Sequence, residues 1–165
     1  MESDISPTER ALMTMVCYQQ INASFGAKLQ ARLEAMFRQG IVPTVDELRG
    51  KGFSVRKSET IIGIFAFFAK NKYTPGKLST NEVIGLLTQM KGVGDWTVKT
   101  YLLLYEKRPD IVLYEDLDVR KGLRITYKLE KVPTPKQAKD LCKNWQADMS
   151  STLSLFYLDL GKNYK

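Results

Sequence analysis

The 165-residue chain contains no histidine. That absence removes zinc sites of the usual kind, Ser-His triads and imidazole acid–base chemistry. Any catalysis must therefore rest on carboxylates, lysines, tyrosines or backbone dipoles. Cysteine is nearly absent too: Cys17 and Cys142 lie in apolar or mixed helical contexts with no Cys or His close by. They read as inert buried thiols rather than metal ligands or a disulfide. No apolar run approaches the ~20 residues of a membrane span, and no signal-peptide pattern opens the chain. An intracellular protein with no membrane partner is the expectation, placed in cytoplasm or nucleoid, or in the nucleus of a eukaryote. Alternating strand patterns, internal repeats and low-complexity segments are missing as well. Asp110-Ile111-Val112-Leu113 is the one short strand candidate.

What is present is positive charge and helical periodicity. Lys and Arg number 25 against 18 Asp and Glu, a net charge of +7. Such an excess favours a polyanionic partner, nucleic acid before an acidic membrane, although a Lys-rich surface kept for solubility has the same composition. A hydrophobic share of 44% and a length of 165 residues suit one compact domain, or two small lobes sharing a core. Helix starts recur along the chain. Ser6-Pro7-Thr8-Glu9, Thr44-Val45-Asp46-Glu47 and Ser79-Thr80-Asn81-Glu82 are capping boxes, and Thr134-Pro135 is a further start. Asn22, Ser54 and Asp148 are placed to cap helices of their own. The helix after Ser54 carries Ile61, Ile62, Ile64, Phe65, Phe68 and Ala69, apolar nearly all round, so it is expected to be central and buried.

The most distinctive stretch is Leu87-Thr88-Gln89-Met90-Lys91-Gly92-Val93-Gly94-Asp95-Trp96-Thr97. A helical pattern runs in, a Gly-x-Gly turn breaks it, and a second helix runs out. Two glycines permit positive φ and close approach of a partner. The N–H groups and positive dipole end of the helix after Gly94 face the turn, which makes a phosphate-binding device. Downstream, Glu115, Asp116 and Asp118 form an acidic cluster before a helix start near Leu117. Asp116 reads either as a simple N-cap or as a carboxylate available for chemistry.

The Gly-Val-Gly hairpin followed by Pro109-Asp110-Ile111-Val112, then Glu115-Asp116-Leu117-Asp118-Val119-Arg120-Lys121-Gly122, resembles the helix–hairpin–helix DNA glycosylase superfamily. Its nearest branch is that of the 3-methyladenine (alkyl-base) DNA glycosylases. Tyr18-Gln19-Gln20-Ile21-Asn22 is similar to that branch's Gln-Gln segment, and Gly52-Phe53-Ser54…Lys57 to its Gly-Leu-Ser…Lys turn. Met90 to Thr97 matches its Pro-Gly-Ile-Gly-x-Trp-Thr hairpin. The resemblance covers almost the whole chain.

It implies an all-α fold, a helix–hairpin–helix glycosylase-like bundle of two small helical lobes with a cleft between them. Residues 1–165 are expected to form a single domain, with the hairpin motif at about 83–106, and without the N-terminal segments usual in the family. The implied activity is monofunctional excision of alkylated purines by base flipping and N-glycosidic hydrolysis. A non-catalytic helix–hairpin–helix DNA-binding protein is the alternative, and a glycosylase for another damaged base a third reading. The family's essential aspartate falls on Asp116, whose carboxylate would stabilise an oxocarbenium-like sugar.

Trp96 stands where bifunctional relatives place a Schiff-base lysine, so no lyase step is expected. Trp96 and Tyr157 match pocket aromatics, with Tyr114 and Tyr18 as neighbours by reasoning. Gln19, Gln20 and Ile21 form the expected wedge that fills the gap left by a flipped base. Lys91, Gly92, Gly94, Arg120 and Lys121 are expected on the DNA backbone, with the Trp96 N–H. The carbonyls of Thr88, Met90 and Val93 match those that hold a monovalent cation, Na+ or K+, in the family; no cofactor is otherwise required. Double-stranded DNA with alkylated bases is the implied partner, bound by a monomer. The chain departs from the family after Trp145, where Gln146-Ala147-Asp148-Met149-Ser150 replaces a Pro-x-Arg-Ser turn.

Overall fold

A computed structural model of the chain describes residues 5–163, and within them there are helices and turns but no strand. The helices are α1 (Pro7–Tyr18), α2 (Ala23–Arg38), α3 (Val45–Gly50), α4 (Val55–Phe68), α5 (Thr80–Leu87), α6 (Asp95–Leu104), α7 (Leu117–Thr126), α8 (Pro135–Cys142) and α9 (Ser150–Asn163). No helix among the described residues is long and apolar enough to cross a membrane.

The starts fall where side-chain chemistry dictates. Ser6, Thr44, Ser79 and Thr134 each accept a bond from the backbone N–H three residues on, while the Glu or Gln at that position accepts the cap's own N–H. These reciprocal pairs satisfy two of the donors that every helix start leaves open. Asn22 and Ser54 cap α2 and α4 singly. Asp148 does not cap α9. It lies in a turn, and α9 begins two residues later at Ser150.

The chain divides into two compact units, the first ending at Tyr101 and the second starting at Leu102. In the first, α1 packs against α2 and α4, and α3 against α4. Leu12, Met13, Val16, Leu29, Leu33, Phe37, Leu48, Ile61, Ile64, Val83 and Leu87 make its core. The buried hydroxyls of Thr8 and Tyr101 meet at 3.0 Å. Helix α4 is less enclosed than its composition predicts. Ser58, Thr60, Ile61 and Ile64 are buried, but Phe65, Phe67 and Phe68 are only half-buried and Ala66 is exposed. Its neighbours within the unit cover one stripe, and the aromatics outside that stripe shield one another, as in the edge-on Phe67–Phe68 pair at 5.4 Å.

In the second unit α7 packs along α9, and α8 touches α7. Leu102, Leu103, Ile111, Leu113, Val119, Leu123, Ala138, Cys142 and Tyr157 are buried apolar residues of this unit. The 110–113 segment forms no strand: it leaves a turn at Asp110 and runs on without regular structure. The N–H of Ile111 donates to Ser151 Oγ at 3.0 Å and that of Leu113 to Ser154 Oγ at 3.1 Å. Ser154 Oγ also donates to the carbonyl of Ile111 at 3.0 Å. Helix hydroxyls thus satisfy the backbone groups that a neighbouring strand would otherwise take.

Candidate nucleic-acid interface and carboxylate site

The turn between α5 and α6 is tightly built. Gly92 has φ +87, a left-handed conformation that L side chains rarely adopt, and a Cβ there would overlap Thr60 Oγ1 of α4. Gly94 is different. Its φ is not positive, and a Cβ added to it would meet nothing within 4 Å. The protein itself therefore needs glycine at 92 and leaves open space at 94. The carbonyl of Gly94 accepts from Val98 N–H as α6 begins, so the N–H groups of the first turn precede the intrahelical ladder. Lys91 is nearly fully exposed, with Glu59 Oε2 3.7 Å from its ammonium. A small hollow of about 330 Å³ beside it is lined by Arg56, Glu59, Thr60, Lys91 and Gly92. Of the carbonyls at Thr88, Met90 and Val93, that of Met90 accepts the Val93 N–H at 3.0 Å and so closes the turn.

The Gln19-Gln20-Ile21 loop lies in the same unit and is tied to this turn. Gln19 Nε2 donates to the carbonyl of Gly92 at 3.1 Å and to Thr97 Oγ1 at 3.0 Å. Gln20 is exposed and has φ 55, uncommon for a residue with a side chain. Lys57 of α4 reaches under the loop, its ammonium donating to the carbonyls of Val16 at 2.6 Å, Cys17 at 3.0 Å and Gln19 at 2.8 Å. These carbonyls gather at the C-terminal end of α1, where that of Val16 also accepts the Gln19 N–H at 3.3 Å, and a cation there suits the negative end of the helix dipole. Desolvation draws the Lys57 pKa below its ordinary value, opposed by the field of the neighbouring Cys17. Gln19 is thus a strut and Gln20 the projecting member of the loop.

Asp116 caps α7. Its Oδ1 accepts the N–H of Asp118 at 2.8 Å and that of Val119 at 3.2 Å. The simple capping reading is realised, and it leaves the carboxylate half-buried at a helix N-terminus rather than enclosed. Asp118 is engaged by Lys121 at 2.8 Å. The frame behind them is close-packed: a Cβ on Gly122 would overlap the backbone of Tyr157, and one on Gly161 that of Asp118. Helices α7 and α9 therefore approach at backbone distance at two points within the first turns of α7, just after the cap.

The remaining site candidates divide by unit. Trp96, half-buried, sits in the first turn of α6. Tyr18 gives its hydroxyl to Gln30 Oε1 at 2.8 Å and packs its ring against Gly26. In the second unit Tyr157 is buried and stacked on Trp145, with centroids 5.4 Å apart and planes at 12°. One of its faces is therefore closed to a base; burial also raises its pKa, with nearby Tyr127 as the next cause. Tyr114 has the Lys139 ammonium 5.7 Å from its ring centre. Arg120 donates to the carbonyl of Pro133 at 3.1 Å, holding the segment before α8. Lys121 lies in a groove of about 870 Å³ with Arg124, Lys128 and Lys162.

Sequence reasoning placed the hairpin, the loop and the acid, but missed what orders them. The three-carbonyl contact of Lys57, the Thr60 support of Gly92, the Gly122 and Gly161 approach, and the Ser151 and Ser154 bonds were not foreseen. Glycine and serine at facing positions of α7 and α9 were visible, but only the packing tells which of them matter.

No family model matches the chain. It is 31% identical over 135 residues to DNA-3-methyladenine glycosylase 1 of Schizosaccharomyces pombe, covering 74% of this chain and 59% of that protein. A putative DNA-3-methyladenine glycosylase of Bacillus subtilis is 23% identical over 155 residues, covering 84% and 54% respectively. The chain thus spans a little more than half the length of these relatives. Among solved structures, a Schizosaccharomyces pombe 3-methyladenine DNA glycosylase in complex with abasic DNA superposes with a TM-score of 0.74 at 28% identity, over 92% of this chain and 78% of that one. A 3-methyladenine DNA glycosylase from Archaeoglobus fulgidus has the same fold, with a TM-score of 0.78 at 20% identity, over 96% and 59%.

Proposed function

On the premise that the chain belongs to the helix–hairpin–helix DNA glycosylase superfamily and stands with its 3-methyladenine branch, we propose that it is a monofunctional DNA glycosylase that removes alkylated purines from duplex DNA. The observation that carries this reading is the setting of Asp116. Its carboxylate is anchored through Oδ1 by two backbone N–H groups at the start of α7, and the chain holds it there half-buried. A carboxylate held in this way keeps its orientation without reorganising while charge develops on a substrate.

The chemistry asks for little more. An N-alkylated purine already carries positive charge, so breaking its bond to C1′ of the sugar returns the electron pair to the base and neutralises it. The sugar becomes oxocarbenium-like, and the negative Asp116 stabilises that cation from a fixed position. Water then adds its oxygen to C1′, and its proton is taken up by the carboxylate or the solvent. No histidine is needed at any step, which accords with a chain that has none. Trp96 offers no amine for attack on the sugar, so the reaction ends at base release.

Duties divide along the chain. The N–H groups of Gly92, Gly94 and Trp96 with the Lys91 ammonium take a phosphate, in the manner of helix N-termini. Gln20 fills the gap left by the flipped base, with Ile21 beside it. Trp96 stacks on the electron-poor base, while Tyr18, bonded to Gln30 and packed on Gly26, and Tyr157, stacked on Trp145, serve mainly as packing. Lys121 adds positive charge near the acid, and Arg120 holds the α7–α8 segment. Neutral carbonyls at Thr88, Met90 and Val93, all within one short turn, are a donor set that suits Na+ or K+; such an ion would brace the turn.

The test is release of 3-methyladenine from methylated duplex DNA by wild type and Asp116→Asn. Release by wild type that falls about 100-fold or more in the variant is the expected result. Wild type that binds duplex DNA yet releases no base would return the chain to the DNA-binding reading.

A further inference from the structure

Gln20 is held in a strained, left-handed backbone conformation at an exposed position, φ 55, between two residues of a short loop. Such conformations persist only where the surroundings over-determine them, and they gather at functional sites. Here the surroundings are on the page. Below the loop the Lys57 ammonium bonds three carbonyls, the last being that of Gln19 itself. Beside it the Gln19 side chain bonds Gly92 and Thr97 of the hairpin. Neither contact is local in sequence: Lys57 lies 38 to 41 positions from its partners and Gln19 lies 73 and 78 from its own.

We propose that Lys57 and Gln19 are positioning residues: they lock the loop so that Gln20 enters the duplex as a pre-formed wedge, and they tie it to the phosphate-binding hairpin so that gripping the backbone sets the depth of insertion. The proposal rests on the glycosylase reading above. Its physical reason is entropy. A wedge that must order itself on entering the base stack loses that ordering free energy from the flipping step, whereas a clamped wedge has lost it on folding. One point charge on three converging carbonyls suits Lys rather than Arg, since an ammonium is compact and its three donors diverge from one atom. The carbonyls of Val16, Cys17 and Gln19 lose a donor together if the ammonium is removed.

The experiment uses the full chain and duplex DNA containing a tetrahydrofuran abasic analogue with 2-aminopurine stacked beside it, whose fluorescence rises when the stack is opened. The variants are Lys57→Met, Gln19→Met and Gln20→Ala, each compared with wild type in this signal, in base release from methylated DNA, in affinity for undamaged duplex and in thermal melting. For Lys57→Met and Gln19→Met the fluorescence rise and base release are expected to slow by about 10-fold or more. Affinity for undamaged duplex should stay within about two-fold, because phosphate contacts set it. Gln20→Ala should lose the fluorescence signal. Wild-type signal and release in Lys57→Met overturns the proposal, as does parallel loss of undamaged-duplex binding and cooperative melting, which marks a purely structural role. If Lys57→Met does not fold, Gln19→Met decides alone: a slowed signal supports the clamp and a wild-type signal overturns it. A wild type that opens the stack but releases no base leaves the clamp standing and removes the enzyme reading. Base release without any opening of the stack does the reverse.

Discussion

Gly161 of α9 lies so close to the carbonyl of Asp118 that a single methyl group on Gly161 would overlap it, with the Gly122 N–H also within 3.0 Å of that methyl. The atoms in the way are backbone, which cannot swing aside as a side chain could. Since Asp118 lies in the first turn of α7, two residues after the cap Asp116, this contact fixes the last helix against the segment that presents Asp116. Gly161→Ala is expected to destabilise the chain by about 1–3 kcal/mol, the range for overpacking a close contact. Urea unfolding measures it, and an unchanged midpoint would show that the helices separate freely.

Asp116 is asked to act as a cap and as a catalyst, and two variants separate the roles. Asparagine caps helices as well as aspartate does, so Asp116→Asn should melt within a few tenths of a kcal/mol of wild type while losing base release. Asp116→Ala should lose both, with a stability loss of about 0.5–2 kcal/mol. Equal melting losses in the two variants would mean that more than a cap bond holds this residue.

The two hairpin glycines should respond differently. Gly92→Ala puts a side chain at φ +87 against Thr60 and should destabilise the fold. Gly94→Ala meets no protein atom, so melting should be unchanged while duplex affinity falls. Lys91→Ala should lower the slope of affinity against salt by about one counterion. Salt titrations of the three variants decide whether the hairpin carries a phosphate.

Trp96 predicts a negative result with a clear positive control. Incubation of the protein with abasic duplex and borohydride should trap no cross-link, whereas a lyase relative under the same conditions does. A trapped adduct would require a lysine elsewhere in the chain to reach the sugar.

Burial pushes the Cys17 and Cys142 thiols up to about 12 from an ordinary value of 9.0. Both should resist thiol reagents at pH 8 in the native state and react in denaturant. The folded chain keeps protons that the unfolded chain gives up. This contribution to stability is therefore full below the ordinary thiol range and declines as pH rises from there toward about 12. Replacing Cys142 by alanine should flatten that alkaline decline.

Much of the architecture was readable without coordinates because it is encoded over three or four residues. A Ser or Thr followed by Glu or Gln at the third position closes a local hydrogen-bond cycle, so α1, α3, α5 and α8 begin where that spelling places them. The Gly-x-Gly turn and the acid before Leu117 were legible for the same reason, and the resemblance they carried led to the family. Local spelling failed where partners are distant. Asp110 to Leu113 looks like a strand, yet its backbone is satisfied by Ser151 and Ser154 some forty residues on, and the distance in sequence hides them. Asp148 looks like a cap, but α9 starts at Ser150. Phe65 and Phe68 look like core, yet the unit covers only one stripe of α4.

The contrast is sharpest between Asp116 and Lys57. Asp116 takes its position from N–H groups two and three residues away, so its place at the start of α7 follows from the chain alone. Lys57 finds three carbonyls about forty residues upstream, a meeting that exists only after α1 and α4 have packed. Short-range hydrogen bonds are specified by spacing; long-range ones need the hydrophobic contacts that first bring the helices together.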